Sequence, residues 1–273
     1  MRHGLVGFGL MLLVPLGTSA AQSGSFAYAP GTQHYRWVTE VHREQIQGGG
    51  RAPFEFDVTT TQLVTLKLTA KSPDTLQLGI TLDSIAVSTK FDAPAPDVRH
   101  LFGKTLTGLI SPQGKLYRFD PPAGTTDADV IALYTAFRPF LVSFPSKPVA
   151  AGTSWADTTN QHIDKDGFAI NVRSITLTRV TGDTTVNGQR AWRVVRHTDI
   201  VQSGLSSASP DSQRVTLQGT GSVNGVHVMS HDGVFLGSQS TQRVDLTEKN
   251  AISESAPITQ TIKSTVERLP NSP

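Results

Sequence analysis

The chain has 273 residues, contains no Cys and carries a formal net charge of +2. The lack of Cys excludes disulfides, thiolate zinc sites, cysteine nucleophiles and a lipidated cysteine anchor. A charge this small also argues against nucleic acid as a partner, because nucleic-acid-binding domains carry a concentrated basic face. Charged residues make up only 17% of the chain. Thr, Ser and Gln supply much of the remaining polar surface, which favours a β-rich exported protein.

Residues 1–21 have the layout of a secretory signal peptide. A basic start at Arg2 precedes an apolar run, Leu5–Leu16, and small residues follow it. A membrane-spanning helix needs about 20 apolar residues, so this run is too short to be one. We expect cleavage after Ala20 or Ala21 and an exported mature protein without a transmembrane anchor. The expected location is the periplasm or the exterior.

Apolar and polar residues alternate along most of residues 22–273, which we expect to form a single β-rich domain. Phe54, Phe56 and Val58, for example, fall on one face of their segment. A period of two predicts long strands with one buried face each. The parity changes near Asp83, which predicts a β-bulge there.

One segment, residues 126–141, breaks this alternation. Its apolar residues Val130, Tyr134, Phe137 and Leu141 are spaced four, three and four apart. This is the spacing of an amphipathic α-helix. We therefore expect one central helix between two sets of strands.

The two sets of strands resemble each other as pseudo-repeats, residues 30–122 and 150–268. The turn sequence Ser111–Gly114 has a counterpart in Ser230–Gly233. The second set also contains Asn187-Gly188, the strongest two-residue hairpin signal. Both a degenerate duplication and the coincidences of an antiparallel meander fit these markers.

These elements predict a mainly β fold. Each strand set has an apolar face that must be covered by another layer. We expect a large curved antiparallel sheet or an incomplete barrel, with the helix against its concave side.

No catalytic motif or cofactor motif is present, so no cofactor is predicted. The string Gly152–Ala156 lacks the final Gly of a serine-hydrolase nucleophile elbow. Zinc bound by His197, His227 and His231 is a weak alternative. No HxH or HExxH motif supports it, and isolated strand histidines are more often surface or hydrogen-bonded residues.

An aromatic-rich set around the predicted helix is the remaining candidate site. It fits either an ordinary hydrophobic core or a groove for a lipid or other apolar molecule, formed where the helix and the sheet fail to fill each other. The candidate ligand-binding residues are Tyr134, Phe137, Phe140, Leu141, Phe144 and Trp155.

Two passages resemble a poorly characterised class of exported bacterial β proteins, grouped as a domain of unknown function. They are the hairpin Ser111–Lys115 and the passage Phe144–Trp155, with its order of Pro, spacer, Gly, polar residue and Trp. The resemblance covers about residues 30–268. Several members look like lipoproteins, from which this chain departs because it has no Cys. The predicted plan is also similar to periplasmic lipoprotein carriers, and neither resemblance implies a catalytic residue.

The leading hypothesis is therefore a non-enzymatic envelope or secreted protein that binds an apolar or lipidic molecule. One alternative is an exported hydrolase of unrecognised type that uses some of the three histidines. Another is a structural module for protein interaction, which an exposed edge strand would favour.

Overall fold

The described part of the chain is built entirely from antiparallel β-strands. The computed structural model describes residues 25–46, 53–90, 102–120, 122, 124, 140–165, 168–206, 215–250 and 256–270. The strands are β1 (Gly31–Gln45), β2 (Phe54–Ser72), β3 (Thr75–Thr89), β4 (Thr105–Ile110), β5 (Leu116–Asp120), β6 (Ser154–Lys165), β7 (Phe168–Val186), β8 (Gln189–Ser206), β9 (Val215–Ser230), β10 (Phe235–Asn250) and β11 (Ala256–Arg268).

These strands form one 11-stranded sheet in the order β5-β4-β3-β2-β1-β11-β10-β9-β8-β7-β6. Strands that follow each other in the chain pair directly, apart from β5 and β6, which are the two edges of the described sheet. The pairing of β1 with β11 joins the two meanders. The predicted large antiparallel sheet is thus confirmed.

The sheet is strongly curved, because a single short segment contacts both of its ends. Phe144 donates its backbone N–H to the carbonyl of Gln113 in the β4–β5 turn, at 2.8 Å. The preceding residue, Ser143, accepts a hydrogen bond from Trp155 Nε1 on β6, at 2.9 Å. In a flat sheet β4 and β6 would lie nine strand spacings apart, roughly 43 Å.

The concave face of this sheet is the apolar face that alternation predicted. On β1, Tyr35 and Trp37 are buried, whereas their neighbours His34 and Arg36 are exposed. The predicted change of parity near Asp83 is confirmed by a register shift between β2 and β3. This bulge keeps the apolar residues of β3 on the concave face.

The structure corrects the predicted fold at the central α-helix, residues 126–141. The described residues contain no α-helix. Phe140 has 3₁₀ conformation and Leu141 begins irregular backbone. The rest of the predicted helix, residues 126–139, lies outside the described residues.

Backbone hydrogen bonds explain why no helix continues past residue 141. Val142 donates its N–H to the hydroxyl of Tyr28, at 2.8 Å, and Phe144 donates to Gln113. Both donors bind distant residues, whereas a continuing α-helix needs them for its own carbonyls. At Phe140 the helical spacing was a misleading signal, because this side chain packs against residues of β1 and β10.

An N-terminal segment, residues 25–30, lies across one end of the curved sheet. Tyr28 donates its N–H to the carbonyl of Pro112 at 2.7 Å, and Ala29 donates to Gly233 at 3.0 Å. These acceptors belong to the β4–β5 and β9–β10 turns, the pair that the sequence markers aligned. We call this end of the sheet the closed end.

The two turns share one local geometry. Gly114 donates to the carbonyl of Ser111, and Gly233 donates to the carbonyl of Ser230. Both glycines have positive φ, 86° and 84°, which an L-residue adopts only with strain. The predicted Asn187-Gly188 hairpin turn is likewise confirmed, with φ of 50° and 77°.

Replacing Tyr28 by Phe is expected to lower the free energy of unfolding by about 1–3 kcal/mol. The buried hydroxyl accepts from the N–H of Val142 and donates to its carbonyl, at 2.8 and 3.1 Å. Burial raises the pKa of Tyr28, so the hydroxyl stays neutral and keeps its proton. Urea titration measures the change, with the exposed Tyr117→Phe as control; equal stability of both variants would contradict this account.

Candidate functional site

The closed end is a filled hydrophobic core. Phe140 is fully buried and its ring packs against Tyr35, Trp37 and Phe235, with centroid distances of 5.2, 5.8 and 5.6 Å. A cavity beside Tyr35 and Phe235 measures about 10 Å³, enough for about one water molecule. This cavity among the described residues is therefore too small for a lipid.

Four of the six predicted ligand-binding residues lie in or beside this core. Phe140 and Phe144 are buried, and Leu141 and Trp155 are partly buried against them. Neither phenylalanine has the exposed surface through which a ligand would reach it in this conformation. The other two predicted residues, Tyr134 and Phe137, lie outside the described residues.

The three histidines of the zinc alternative do not converge. His197 lies on the convex face of β8, where its cross-strand partner is Asn224, whereas His227 is buried on the concave face of β9. His231 lies in the β9–β10 turn and stacks on Trp192 at a centroid distance of 4.2 Å. Among the residues that the structure describes, no group of three or more potential ligands is placed to hold a metal ion.

His197 forms a hydrogen bond with Asn224 that changes the pKa of His197. Its Nδ1 lies 2.8 Å from Asn224 Oδ1 and its Nε2 lies 3.2 Å from Asp199 Oδ1. The hydrogen bond to Asn224, and secondarily Asp199, raises the pKa of His197 against the effect of burial.

We expect Asn224→Ala to lower the pKa of His197 toward its ordinary value, because it removes the acceptor that favours the imidazolium. Asp199→Asn should lower it less. NMR titration of the His197 ring proton measures both. A larger decrease in the pKa of His197 in Asp199→Asn than in Asn224→Ala would contradict the conclusion that Asn224 is the larger cause.

Beyond the core, the concave face continues as an open, largely apolar surface. The strands run far past the closed end. Many of their inward side chains there are partly exposed, although Val244 and Ile258 are buried. We call this surface the trough. It is formed by Val41, Val58, Val87, Ile200, Val223 and Ile262.

Most of the trough is one continuous row across the sheet. Val58 pairs with Val41, and Val41 pairs with Ile262. The row continues through Gln242 to Val223. Since side chains of directly paired residues lie about 5 Å apart, these groups form an unbroken strip about 20 Å wide, counted as four strand spacings.

Sequence reasoning missed the trough, although its signal was present. The alternation of Val58 with its neighbours was assigned to a buried face along its whole length. No residue pattern separates the half that is covered from the half that is open. The covering segments, residues 25–30 and 140–150, come from far along the chain.

Polar groups also line the concave face near the trough. Arg43 follows Val41 on the same face of β1, and Thr39 precedes it. The Nε atom of Arg43 and the hydroxyl of Thr39 are buried without a hydrogen-bond partner. The trough is thus apolar along its row and cationic at Arg43.

The convex face carries charged pairs together with exposed apolar side chains such as Leu177 and Val201. Asp57 accepts hydrogen bonds from Lys90 Nζ and His42 Nδ1, both at 2.8 Å. These bonds, with that of Lys90 the larger cause, hold the pKa of Asp57 below its ordinary value. On β10, bonds from Arg243 and then Thr259 lower the pKa of Asp245. Among the described residues no helix has the length and apolarity to cross a membrane.

No protein-family model and no curated protein matches this chain. Among solved structures it is similar to a BenF-like porin from Pseudomonas fluorescens Pf-5, at 9% identity, 89% of this chain, 100% of that chain and a TM-score of 0.30. OccK2 (OpdF) from Pseudomonas aeruginosa matches at 8% identity over 88% and 98% of the two chains, with a TM-score of 0.28. DynF from the dynemicin biosynthesis pathway of Micromonospora chersina matches at 7% identity over 91% and 86%, with a TM-score of 0.22.

TM-scores this low do not establish a common fold, so nothing about function follows from these three structures. None of the three is named as a lipoprotein carrier, so the predicted architectural similarity to those carriers gains no support from them.

Proposed function

We propose that this chain is an exported, non-enzymatic binding protein that holds an apolar or lipidic molecule in the trough. The proposal is supported by a difference in the burial of side chains along the concave face. The closed end is filled by aromatic side chains, whereas the trough residues farther along the same concave face are partly exposed. Two aliphatic residues beside them, Val244 and Ile258, are buried. Concave apolar surfaces with a few polar groups are the usual binding sites for small molecules.

The surroundings of the trough support a role in water outside the cytoplasm. Charged pairs such as Arg243 with Asp245 lie on the convex face, which also exposes apolar side chains such as Ile175 and Leu177. The first 21 residues have the order of a signal peptide. Together they favour a protein of the periplasm or the exterior that carries its ligand on the concave side.

Binding is tested first by native mass spectrometry after mild extraction of the mature protein. We expect a bound apolar molecule, or uptake of dodecan-1-ol when it is added. A mature protein that neither retains nor takes up any apolar molecule would contradict the proposal.

Substitutions at two adjacent residues test whether the apolar molecule binds in the trough. Ile200 faces the trough, whereas Val201 is 57% exposed on the convex face. Ile200→Lys is expected to weaken dodecan-1-ol binding by about tenfold or more, because it places a charge beside the alkyl chain. Val201→Lys should leave binding unchanged, and equal weakening by both would argue against the trough.

A further inference from the structure

Arg43 places a positive charge on the concave face. The Nε atom of its guanidinium is buried and has no hydrogen-bond partner among the residues that the structure describes. An arginine stays ionised at all physiological pH values. Partial burial of this cation without a counter-charge costs free energy, which a bound anion would offset.

The neighbours of Arg43 place this charge at the edge of the apolar row. Arg43 pairs with Phe56 on β2 and Gln260 on β11, and it follows Val41 of the row by two residues. Its Cα therefore lies about 7 Å from that of Val41, on the side away from the closed end. A cation, an amide and an apolar strip thus meet on one face.

The other charged residues that the structure describes on the concave face lie far from Arg43 or add positive charge. Glu248 on β10 lies two strands away and four residues farther along, which is roughly 16 Å at usual strand spacings. Asp157 lies on the edge strand β6 and is exposed. Arg196, on β8, and Arg268, on β11, add positive charge to the concave face.

We propose that the ligand is an anionic amphiphile, with its carboxylate or phosphate on Arg43 and its alkyl chain along the trough. This inference rests on the proposed function and narrows it to one chemical class. The planar guanidinium binds either anion through paired N–H groups. Gln260 can donate a further hydrogen bond from its side-chain amide.

The experiment compares ligands that share one alkyl chain. Dodecanoate, dodecyl phosphate and the neutral dodecan-1-ol are titrated into the mature protein at pH 8 by calorimetry, below their micelle concentrations. We expect both anions to bind at least about tenfold tighter than the alcohol. Their mutual order distinguishes a fatty acid from a phosphate-bearing lipid, and either order supports an anionic ligand.

Substitutions on β1 test whether Arg43 causes the preference for anionic ligands. Arg43→Gln should abolish the preference for anions while leaving affinity for the alcohol unchanged, and Arg43→Lys should retain part of it. Arg36→Gln, on the exposed opposite face of the same strand, should change nothing. Melting curves of all three variants check that they fold.

Two results would overturn the inference. Equal affinity of wild type for the alcohol and the anions means that the trough binds apolar chains without a charge requirement, and the proposed function then survives alone. A preference for anions that persists in Arg43→Gln would mean that the head group of the ligand binds at another site. If none of the three ligands binds, the proposed function itself fails.

Discussion

Gly233→Ala is expected to lower the free energy of unfolding by about 3–5 kcal/mol. Gly233 has a φ of +84°, and a Cβ there would lie far inside van der Waals contact with the backbone carbonyl of Ala27. Since the clash is with backbone and not with a flexible side chain, residues 25–30 would have to leave the closed end. Chemical denaturation gives the loss, and hydrogen exchange of the Ala29 amide reports whether the segment has detached.

Gly188→Ala is the matched control for this experiment. Gly188 has a similar φ of +77°, but nothing lies within 4 Å of the position where its Cβ would stand. Its substitution therefore adds only backbone strain, about 1–2 kcal/mol. If both variants lose the same stability, close packing of the N-terminal segment is not what stabilises the closed end.

Phe140→Ala should cost about 3–5 kcal/mol of unfolding free energy, the usual range for a fully buried phenylalanine. Its ring contacts residues from β1 and β10, so the cavity it leaves is bounded by long strands that cannot easily collapse. Urea denaturation measures the effect. The control is Phe102→Ala, because Phe102 is 37% exposed, and its loss should be below about 1 kcal/mol.

Phe140→Ala also tests whether Phe140 is a core residue or a ligand-binding residue. If Phe140 belongs to the core, Phe140→Ala lowers stability while the folded fraction binds dodecan-1-ol with nearly wild-type affinity. Loss of binding with intact stability would return Phe140 to the ligand site that its sequence pattern suggested.

Local patterns in the sequence were sufficient to predict the strands and several turns. The alternation around Val58 and Leu78 needs only a period of two, and Asn187-Gly188 needs only two residues whose backbone tolerates positive φ. These signals are carried by adjacent residues, so no knowledge of distant partners is required.

The closed end and the trough depend on partners that no local pattern contains. Phe26 and Tyr28 follow the signal-like segment and give no periodic signal, yet Phe26 stacks on Phe144 at a centroid distance of 3.9 Å. Phe140 and Leu141 have helical spacing with Phe137 in the sequence, yet Phe140 and Leu141 pack with residues from distant strands. Which part of a strand is covered is decided by such distant contacts.

The central claim is that ligand binds in the trough and not at the closed end or on the convex face. Methyl NMR of isoleucine-labelled protein tests it directly, with dodecanoate added in steps. We predict that the methyl signals of Ile200 and Ile262 shift, while those of Ile80 in the core and Ile175 on the convex face stay in place. Shifts at Ile175 or Ile80 without shifts at Ile200 and Ile262 would contradict the claim.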